Sequence, residues 1–286
     1  MSTSPLSLDV YISGYKPIPS SVPDWPESWQ ATWPATTATL ISGDEDGVLV
    51  DALATLEESR ELATWLRDLG KNVTQVYITH GHADHALGLS SVLEAYPEAR
   101  ALALPPAVSA LEQQTSQQGM TIWEGFFPGQ LSDRPVVPGP LAETELSVEG
   151  HVIEVVPLGQ SDVPHSSALH VPELDAVLAG DVVYNGIHPW MYRSDHAQRT
   201  GWIDTLNRVE ELAPSTIIAG HKDPDAPDDD AARTLEITRR YIRDFDAQVA
   251  AGAAGARLVE AMTGKYPDLG NPYTLWLAAY SQPSTD

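Results

Sequence analysis

The sequence predicts an α/β protein with four αββα layers, in which two β-sheets pack face to face and helices cover both outer sides. Short runs rich in β-branched residues alternate with longer amphipathic runs, and a strand–strand–helix–strand order occurs once in each half of the chain. Strands and helices mixed in this order are expected to form packed layers around one core. No linker divides the 286 residues, so we expect a single domain over residues 1–286.

The first half is expected to supply one sheet and its helices. Apolar residues recur at helical spacing from residue 56 to 69, and Gly70 follows at the position typical of a helix C-cap. The strands are expected at 8–14, within a hairpin at 35–53, at 73–78 and at 98–105, and the helices at 56–69, 86–96 and 106–118. The stretches 16–34 and 120–141, rich in proline or aromatic residues, are expected to be irregular, and the Pro-rich stretches 16–34 and 135–140 are expected to be surface loops near a site.

The second half is expected to repeat this arrangement without recognisable sequence identity to the first. Its strands are expected at 151–159, 166–172, 175–183 and 215–220, and its helices at 200–212 and 231–251. The tail from residue 252 is expected to form one more helix and a loop.

Composition excludes several classes of function. Sixteen Lys and Arg against forty Asp and Glu give a formal net charge of −24, which disfavours nucleic acid and anionic membranes as partners. The chain has no Cys, so neither a disulfide framework nor a thiolate metal site is available. The N-terminus lacks a signal-peptide pattern, and no apolar run approaches about 18 residues, so we expect a cytoplasmic protein with a small-molecule substrate. The sequence does not indicate an oligomeric state.

The stretch "THGHADH" at residues 79–85 places four metal-ligand side chains in six positions. It lies between a predicted buried strand and a predicted helix. Residues two apart in an extended segment point to the same side, so His80 and His82 are expected to bind one ion, while Asp84 and His85 face a second.

Two further candidate ligands follow predicted strands of the second half. Asp181 comes at the end of "VLAGD", and His221 follows "TIIAG". The two oxygens of a carboxylate such as Asp181 allow it to bridge two ions. Two metal ions about 3.5–4 Å apart activate a hydroxide and polarise a carbonyl or phosphoryl oxygen. Zinc is the default metal, and an all nitrogen and oxygen donor set also suits iron or manganese.

On these residues the chain resembles the metallo-β-lactamase fold hydrolases, from about residue 8 to about 245. "THGHADH" is similar to that family's first metal motif, and Gly180–Asp181 and Gly220–His221 match later landmarks. The resemblance implies an αββα sandwich. It also implies that His80 and His82 serve the first metal, that Asp84, His85 and His221 serve the second, and that Asp181 lies between them.

The sequence departs from the family at one ligand position. Where the family has a His in a "GH[ST]" motif, this chain has Gln160 within "PLGQSDVPH". Either His165 substitutes as the ligand, or Gln160 binds through its carbonyl oxygen, or the first site is weak. We favour His165, because imidazole is the better ligand. Asp162 either orients a ligand or caps a turn.

Three other residues are candidates for supporting roles. Asp51 follows a predicted strand, and it either fixes the orientation of a ligand histidine or caps the next helix. In the family branch that opens acyl-homoserine lactones, a Tyr three residues after the bridging acid faces the metals. The glutathione-thioester branch usually has Phe there. Tyr184, three residues after Asp181, therefore favours a lactone or ester substrate. His188, in a loop, either contacts substrate or has no role in the site. Asp84 is the candidate for proton transfer.

The predicted function is therefore metal-dependent hydrolysis of a lactone or carboxylic ester by a hydroxide that bridges two ions. A thioesterase like glyoxalase II and a β-lactam hydrolase are alternatives of the same fold. A di-iron redox protein would normally need an attached flavin domain. A non-catalytic metal-binding module also remains an alternative, because Gln160 replaces a ligand.

The following aromatic residues and one methionine either line an apolar pocket or pack the loops: Trp123, Phe126, Phe127, Trp190, Met191 and Tyr192.

Overall fold

The computed structural model describes residues 5–283 of the chain. In chain order the strands are β1 (Ser7–Ile12), β2 (Lys16–Pro17), β3 (Thr32–Trp33), β4 (Thr37–Ser42), β5 (Asp46–Val50), β6 (Asn72–Ile78), β7 (Arg100–Ala103), β8 (Gly139–Pro140), β9 (Glu145–Val148), β10 (His151–Pro157), β11 (Ser167–Val171), β12 (Ala176–Asn185) and β13 (Thr216–Lys222). The helices are α1 (Leu56–Asp68), α2 (Leu89–Ala95), α3 (Pro105–Gln114), α4 (Gln117–Phe126), α5 (His196–Glu210), α6 (Ala231–Ala250), α7 (Gly255–Lys265) and α8 (Pro272–Tyr280).

Two sheets form the centre of the molecule. The first has the order β1-β4-β5-β6-β7-β8, and the second has the order β13-β12-β11-β10-β9. Side chains from both sheets meet in a shared core, with Tyr77 and Ile41 from the first sheet and Leu169 and Ile218 from the second. The strands at the centre are buried along almost their whole length, as expected where both faces of a sheet are covered.

Helices cover the outer face of each sheet and complete four layers. Leu62 and Leu66 of α1 and Leu89 of α2 pack on the first sheet, while Trp202 of α5 and Phe245 of α6 pack on the second. An amphipathic helix buries its apolar face by packing it against another element in this way. The predicted αββα arrangement is therefore confirmed.

Several predicted elements differ from those observed. Residues 117–126 form helix α4 rather than irregular chain, because the Ser116 side chain accepts a hydrogen bond from Gly119 N and caps the helix. Strand β9 was not predicted, α5 begins at His196 rather than at residue 200, and the tail contains two helices, α7 and α8. Residues 1–4 and 284–286, which the single-domain prediction includes, lie outside the described residues. Within residues 5–283, each helix is too short or too polar to cross a bilayer.

Candidate metal centre

The predicted ligands converge at one edge of the two sheets because they lie at or near the ends of strands. The turn after β6 carries the first group, and it contains a short 3₁₀ segment from Ala83 to His85. Asp181 lies in β12, and His221 lies in the adjacent parallel strand β13. Parallel strands deliver their carboxyl ends to the same edge of a sheet, which brings residues distant in sequence together.

The first of two clusters contains two imidazoles and two carboxylates. One potential ligand atom from each of His80, His82, Asp162 and Asp181 lies within 4.8 Å of the others. The shortest contact, 2.5 Å, joins His82 Nδ1 to Asp162 Oδ2. His80 Nε2 lies 3.8 Å from Asp162 Oδ2 and 3.9 Å from Asp181 Oδ2.

Three buried atoms of this cluster lack hydrogen-bond partners among the described residues. These are His80 Nε2, Asp162 Oδ2 and Asp181 Oδ1. A buried polar atom without a partner costs on the order of 1–3 kcal/mol, so native structures rarely tolerate several in one place. A divalent cation between His80 Nε2 and Asp162 Oδ2 would satisfy two of them, and Asp181 Oδ1 faces His85 of the second cluster at 3.3 Å. The donor set therefore fits a metal ion.

The second cluster contains Asp84, His85 and His221, all buried and also within 4.8 Å of one another. His221 Nε2 lies 3.2 Å from Asp84 Oδ2 and 3.3 Å from His85 Nε2. Asp181 lies between the clusters, since its Oδ1 is 3.3 Å from His85 Nε2 and its Oδ2 is 3.5 Å from His221 Nε2. The structure thus brings together six of the seven predicted ligands, with Asp181 in the expected intermediate place.

Hydrogen bonds behind the clusters fix the tautomers of two histidines. The carbonyl oxygen of Ala35 can only accept, so His221 Nδ1, at 3.1 Å, must donate to it. His85 Nδ1 donates to the Asp51 carboxylate at 3.0 Å. In its neutral form, each of these rings therefore presents the lone pair of Nε2 to the cluster, which is the form that binds a metal.

A chain of hydrogen bonds orients His80 in the same way. Thr79 Oγ1 lies 2.9 Å from Asp51 Oδ2 and 2.9 Å from His80 Nδ1. The hydroxyl donates its one proton to the carboxylate and accepts from His80 Nδ1. Asp51 thus supports two ligand histidines. It does not cap the next helix, because Thr55 is the N-cap of α1.

The charges of the centre favour a cation. Burial opposes ionisation of Asp84, yet the imidazole of His85 holds the pKa of Asp84 below its usual range. Burial likewise opposes ionisation of Asp181, and the surrounding imidazoles hold its pKa well below normal. Burial disfavours the charged form of His82, but the Asp162 carboxylate raises the pKa of His82 to about 9. Buried ionised carboxylates need compensating positive charge, which protonated imidazoles supply here and which a divalent ion would supply on displacing those protons.

Sequence reasoning did not assign a role in the site to Trp33. Its indole Nε1 donates to Asp84 Oδ2 at 3.0 Å, and its side chain is almost fully buried. The only sequence signal was the tryptophan-rich loop at 16–34, which was predicted to lie near a site. The indole holds the carboxylate of Asp84 toward His85 and His221.

Replacing Trp33 with Phe is expected to weaken binding of one cation by about 10–100-fold, the usual effect of losing a group that orients a ligand. Titration of chelator-stripped protein against a metal-sensitive dye measures this affinity. Trp123→Phe is the matched control, because Trp123 belongs to the same aromatic cluster but donates to Gln114 Oε1 instead. Equal affinities in the two variants would show that the indole does not position Asp84.

A cavity of about 920 Å³ opens over both clusters. His82, Asp84, Asp181, Tyr184 and His221 form part of its lining. The lining also includes five aromatic residues: Trp33, Trp123, Phe126, Trp190 and Tyr192. Of the apolar residues singled out in the sequence, Phe127 and Met191 are instead fully buried in the core. A concave pocket of this size that combines apolar side chains with convergent polar groups is typical of a small-molecule site.

Tyr184 occupies the predicted place beside the clusters. Its hydroxyl donates to Asp181 Oδ2 at 2.7 Å, and its ring stacks on His221 with centroids 5.9 Å apart. Burial and the Asp181 carboxylate raise the pKa of Tyr184 well above its ordinary value, so the phenol keeps its proton. It therefore remains a hydrogen-bond donor within the cavity.

The structure does not bring His165 into the first cluster, and the prediction that it substitutes as the ligand is corrected. His165 is exposed, on the loop between β10 and β11. Backbone hydrogen bonds from Ser161 N to Val163 O and from Ser166 N to Gly159 O fold this loop tightly. Asp162 points inward from the turn, so His165 faces out. The amide nitrogen of Gln160 donates to Ser161 O at 2.8 Å.

His188, for which the sequence left open either a substrate contact or no role in the site, lies apart from the cavity. It is buried, its Nδ1 is 3.0 Å from Tyr241 Oη, and it is not among the described residues that line the cavity. Burial lowers the pKa of His188 to about 4, so it is neutral at physiological pH. Its position indicates a packing role.

Comparison with known proteins is consistent with this geometry. A sequence profile described as the metallo-beta-lactamase superfamily matches residues 31–221. That range contains every residue of both clusters. No curated protein sequence is a significant match to the chain.

Solved structures of the same fold are similar over most of the chain. A metallo-beta-lactamase family protein from Thermus thermophilus is 20% identical in sequence; the superposition covers 94% of this chain and 91% of that protein, with a TM-score of 0.61. A beta-lactamase domain protein from Burkholderia ambifaria is 16% identical; the superposition covers 89% of this chain and 83% of that protein, with a TM-score of 0.64. The metallo-beta-lactamase FIM-1 from Pseudomonas aeruginosa, solved in a mono-zinc form, is 16% identical; the superposition covers 84% of this chain and 96% of that protein, with a TM-score of 0.55. At these identities the likeness supports the fold alone.

Proposed function

The chain belongs to the metallo-beta-lactamase superfamily, and we propose that it is a hydrolase that uses two divalent cations to cleave a lactone or carboxylic ester. The observation that carries this proposal is the position of Tyr184. Its hydroxyl lies in the cavity lining and donates to the carboxylate between the two clusters.

The two clusters are the proposed cation sites. One cation would be held by the cluster that contains His80 and His82, the other by Asp84, His85 and His221, with Asp181 shared. Divalent cations at such sites supply Lewis acidity and lower the pKa of water toward neutrality. Zinc is the default, and iron(II) and manganese also suit nitrogen and oxygen donors.

The residues of the chain supply orientation and proton transfer. Asp84 is buried beneath the cavity with one oxygen held by Trp33, so it is placed to accept a proton from an attacking water. Without substrate, Tyr184 donates its one proton to Asp181 Oδ2. To act on a substrate, the hydroxyl would turn from Asp181 and donate to the carbonyl oxygen or the leaving oxygen instead. Donors placed where negative charge develops contribute strongly in a site that excludes water.

The cavity supports a substrate with a bulky apolar part. The aromatic residues of its lining pack against one another. The ring centroid of Trp33 lies 4.9 Å from that of Phe126 and 5.2 Å from that of Trp190. Among the described lining residues, Arg193 alone is a Lys or Arg. A substrate with several phosphates would need more positive charge than this.

Replacing Tyr184 with Phe is expected to reduce turnover by about 10²-fold, the usual effect of losing a donor to developing charge. Bound metal at saturating concentration is expected to stay at the wild-type level, because the carboxylates and imidazoles remain. The measurement is kcat for lactone hydrolysis together with metal per chain by mass spectrometry.

Tyr241→Phe is the matched control for that variant. It also removes a buried hydroxyl, but one that contacts His188 outside the cavity. We expect its turnover to equal that of the wild type. Wild-type turnover in Tyr184→Phe would remove the main support for a lactone or ester substrate.

A panel of substrates tests the reaction class. Metal-loaded protein and a chelated control are assayed with lactones, aryl esters, a glutathione thioester and a β-lactam by a pH indicator. Chelator-sensitive hydrolysis of lactones or esters above the others is the expected result. Hydrolysis of only the thioester or the β-lactam would assign the chain to one of those activities instead. No hydrolysis by fully loaded protein would favour a metal-binding module.

A further inference from the structure

We propose that Asp162 is a ligand of the first cation, and that its carboxylate shifts this site from zinc toward manganese or iron(II). The inference rests on the metal-binding part of the proposed function and is independent of the substrate. It concerns the position at which Gln160 and His165 were the sequence candidates.

The side chain of Asp162 points toward the cluster. It is fully buried, and Ser161 Oγ donates to its Oδ1 at 2.6 Å. The other oxygen, Oδ2, has no hydrogen-bond partner among the described residues. It nevertheless lies 2.5 Å from His82 Nδ1 and 3.8 Å from His80 Nε2. Asp162 Oδ1 is therefore anchored in the turn, while Oδ2 faces the ring nitrogens of His80 and His82.

An ion pair between Asp162 and His82 does not account for these contacts. Such a pair would satisfy Asp162 Oδ2 but would leave His80 Nε2, another buried atom of the same cluster, without a partner among the described residues. His80 Nε2 and Asp162 Oδ2 belong to different segments of the chain and lie 3.8 Å apart. A cation bound by both atoms satisfies both, whereas a proton between His82 and Asp162 does not.

Asp162 changes the chemistry of the first site. With it, the donors there are two imidazoles and two carboxylates, and the second site, which shares Asp181, has the same donor types. Imidazole favours zinc, whereas carboxylate oxygen suits harder ions such as manganese. An imidazole at position 162 would therefore discriminate more strongly for zinc than the carboxylate does.

Metal competition on the whole chain tests the inference. Chelator-stripped protein is equilibrated with buffered mixtures of Zn²⁺ and Mn²⁺, and bound metals are counted per chain by mass spectrometry. The loss of the electron paramagnetic resonance signal of free Mn²⁺ gives an independent measure of binding. The variants are Asp162→Ala, Asp162→Asn and Asp162→His, with His165→Ala as the matched control in the same loop.

We expect Asp162→Ala and Asp162→Asn to lose about one ion per chain and His165→Ala to bind as the wild type does. Asp162→His should bind two ions, with a ratio of zinc to manganese raised on the order of tenfold. The Asn variant conserves shape, so it tests ligation if the Ala variant fails to fold. Wild-type metal affinity in both Ala and Asn variants, or an unchanged ratio in the His variant, would overturn the proposal. If the metal counts are as expected but neither esters nor lactones are hydrolysed, only the proposed substrate class is refuted, and the role of Asp162 as a ligand stands.

Discussion

Replacing Asp181 with Ala is expected to abolish hydrolysis, with a loss of about 10³-fold or more. Its carboxylate approaches ligand atoms of both clusters, and it is the partner of Tyr184. Several kcal/mol of transition-state stabilisation depend on two correctly placed cations, and each 1.4 kcal/mol is about tenfold in rate. Metal per chain is expected to fall below that of the wild type, as counted by mass spectrometry.

Two further variants make this result specific. Asp181→Asn keeps the shape and an acceptor for Tyr184 but loses the charge, so it should also lose metal. Asp204→Ala removes an exposed aspartate on α5 and should behave as the wild type. Full metal content and turnover in Asp181→Asn would show that the carboxylate does not lie between two cations.

Replacing Gly220 with Ala is the second change with a large expected effect, although glycine has no functional group. A Cβ at this position would lie 2.3 Å from Asp181 Oδ1, 2.8 Å from Gly180 C and 3.0 Å from His85 Cε1. One of these atoms is backbone, so the strain cannot be relieved by a flexible side chain. We expect loss of metal, loss of turnover and a decrease of about 1–3 kcal/mol in the free energy of unfolding.

The reason is the register of the two strands beneath the site. Gly180 pairs with Ala219, and Tyr184 pairs with His221, so three residues of β12 lie opposite Gly220 alone. This irregularity turns Asp181 toward the clusters. Gly264→Ala is the control, because a Cβ there meets nothing within 4 Å, and it should stabilise α7 by about 0.5–1 kcal/mol. Wild-type metal binding by Gly220→Ala would contradict this account of the strand geometry.

The parts of the site that follow from local patterns could be predicted from the sequence. The ligands of "THGHADH" are close in sequence, and Asp181 and His221 follow apolar runs typical of buried strands. Their meeting requires only that parallel strands end at one edge of a sheet, which the structure confirms for these residues. The layer order also followed from the alternation of strands and helices.

The remaining features depend on contacts between distant segments. Asp162 and His165 both lie in a turn where spacing does not determine which side chain points inward, and the loop hydrogen bonds decide it. Trp33 reaches Asp84 across fifty-one positions, a contact that no local pattern indicates. Residues 117–126 carry glycines and aromatic residues that resemble a loop, but a side-chain cap and packing of Trp123 stabilise a helix.

The most direct test of the account is hydrolysis measured as metal is returned to the stripped chain. Lactone-opening rate is recorded against the number of ions bound per chain, with Asp181→Asn as the inactive reference. We expect the rate to rise to a plateau at two ions per chain and to disappear when a chelator removes them. A rate that is unaffected by the chelator, or absent for both lactones and esters at two ions per chain, would contradict hydrolysis by two bound cations.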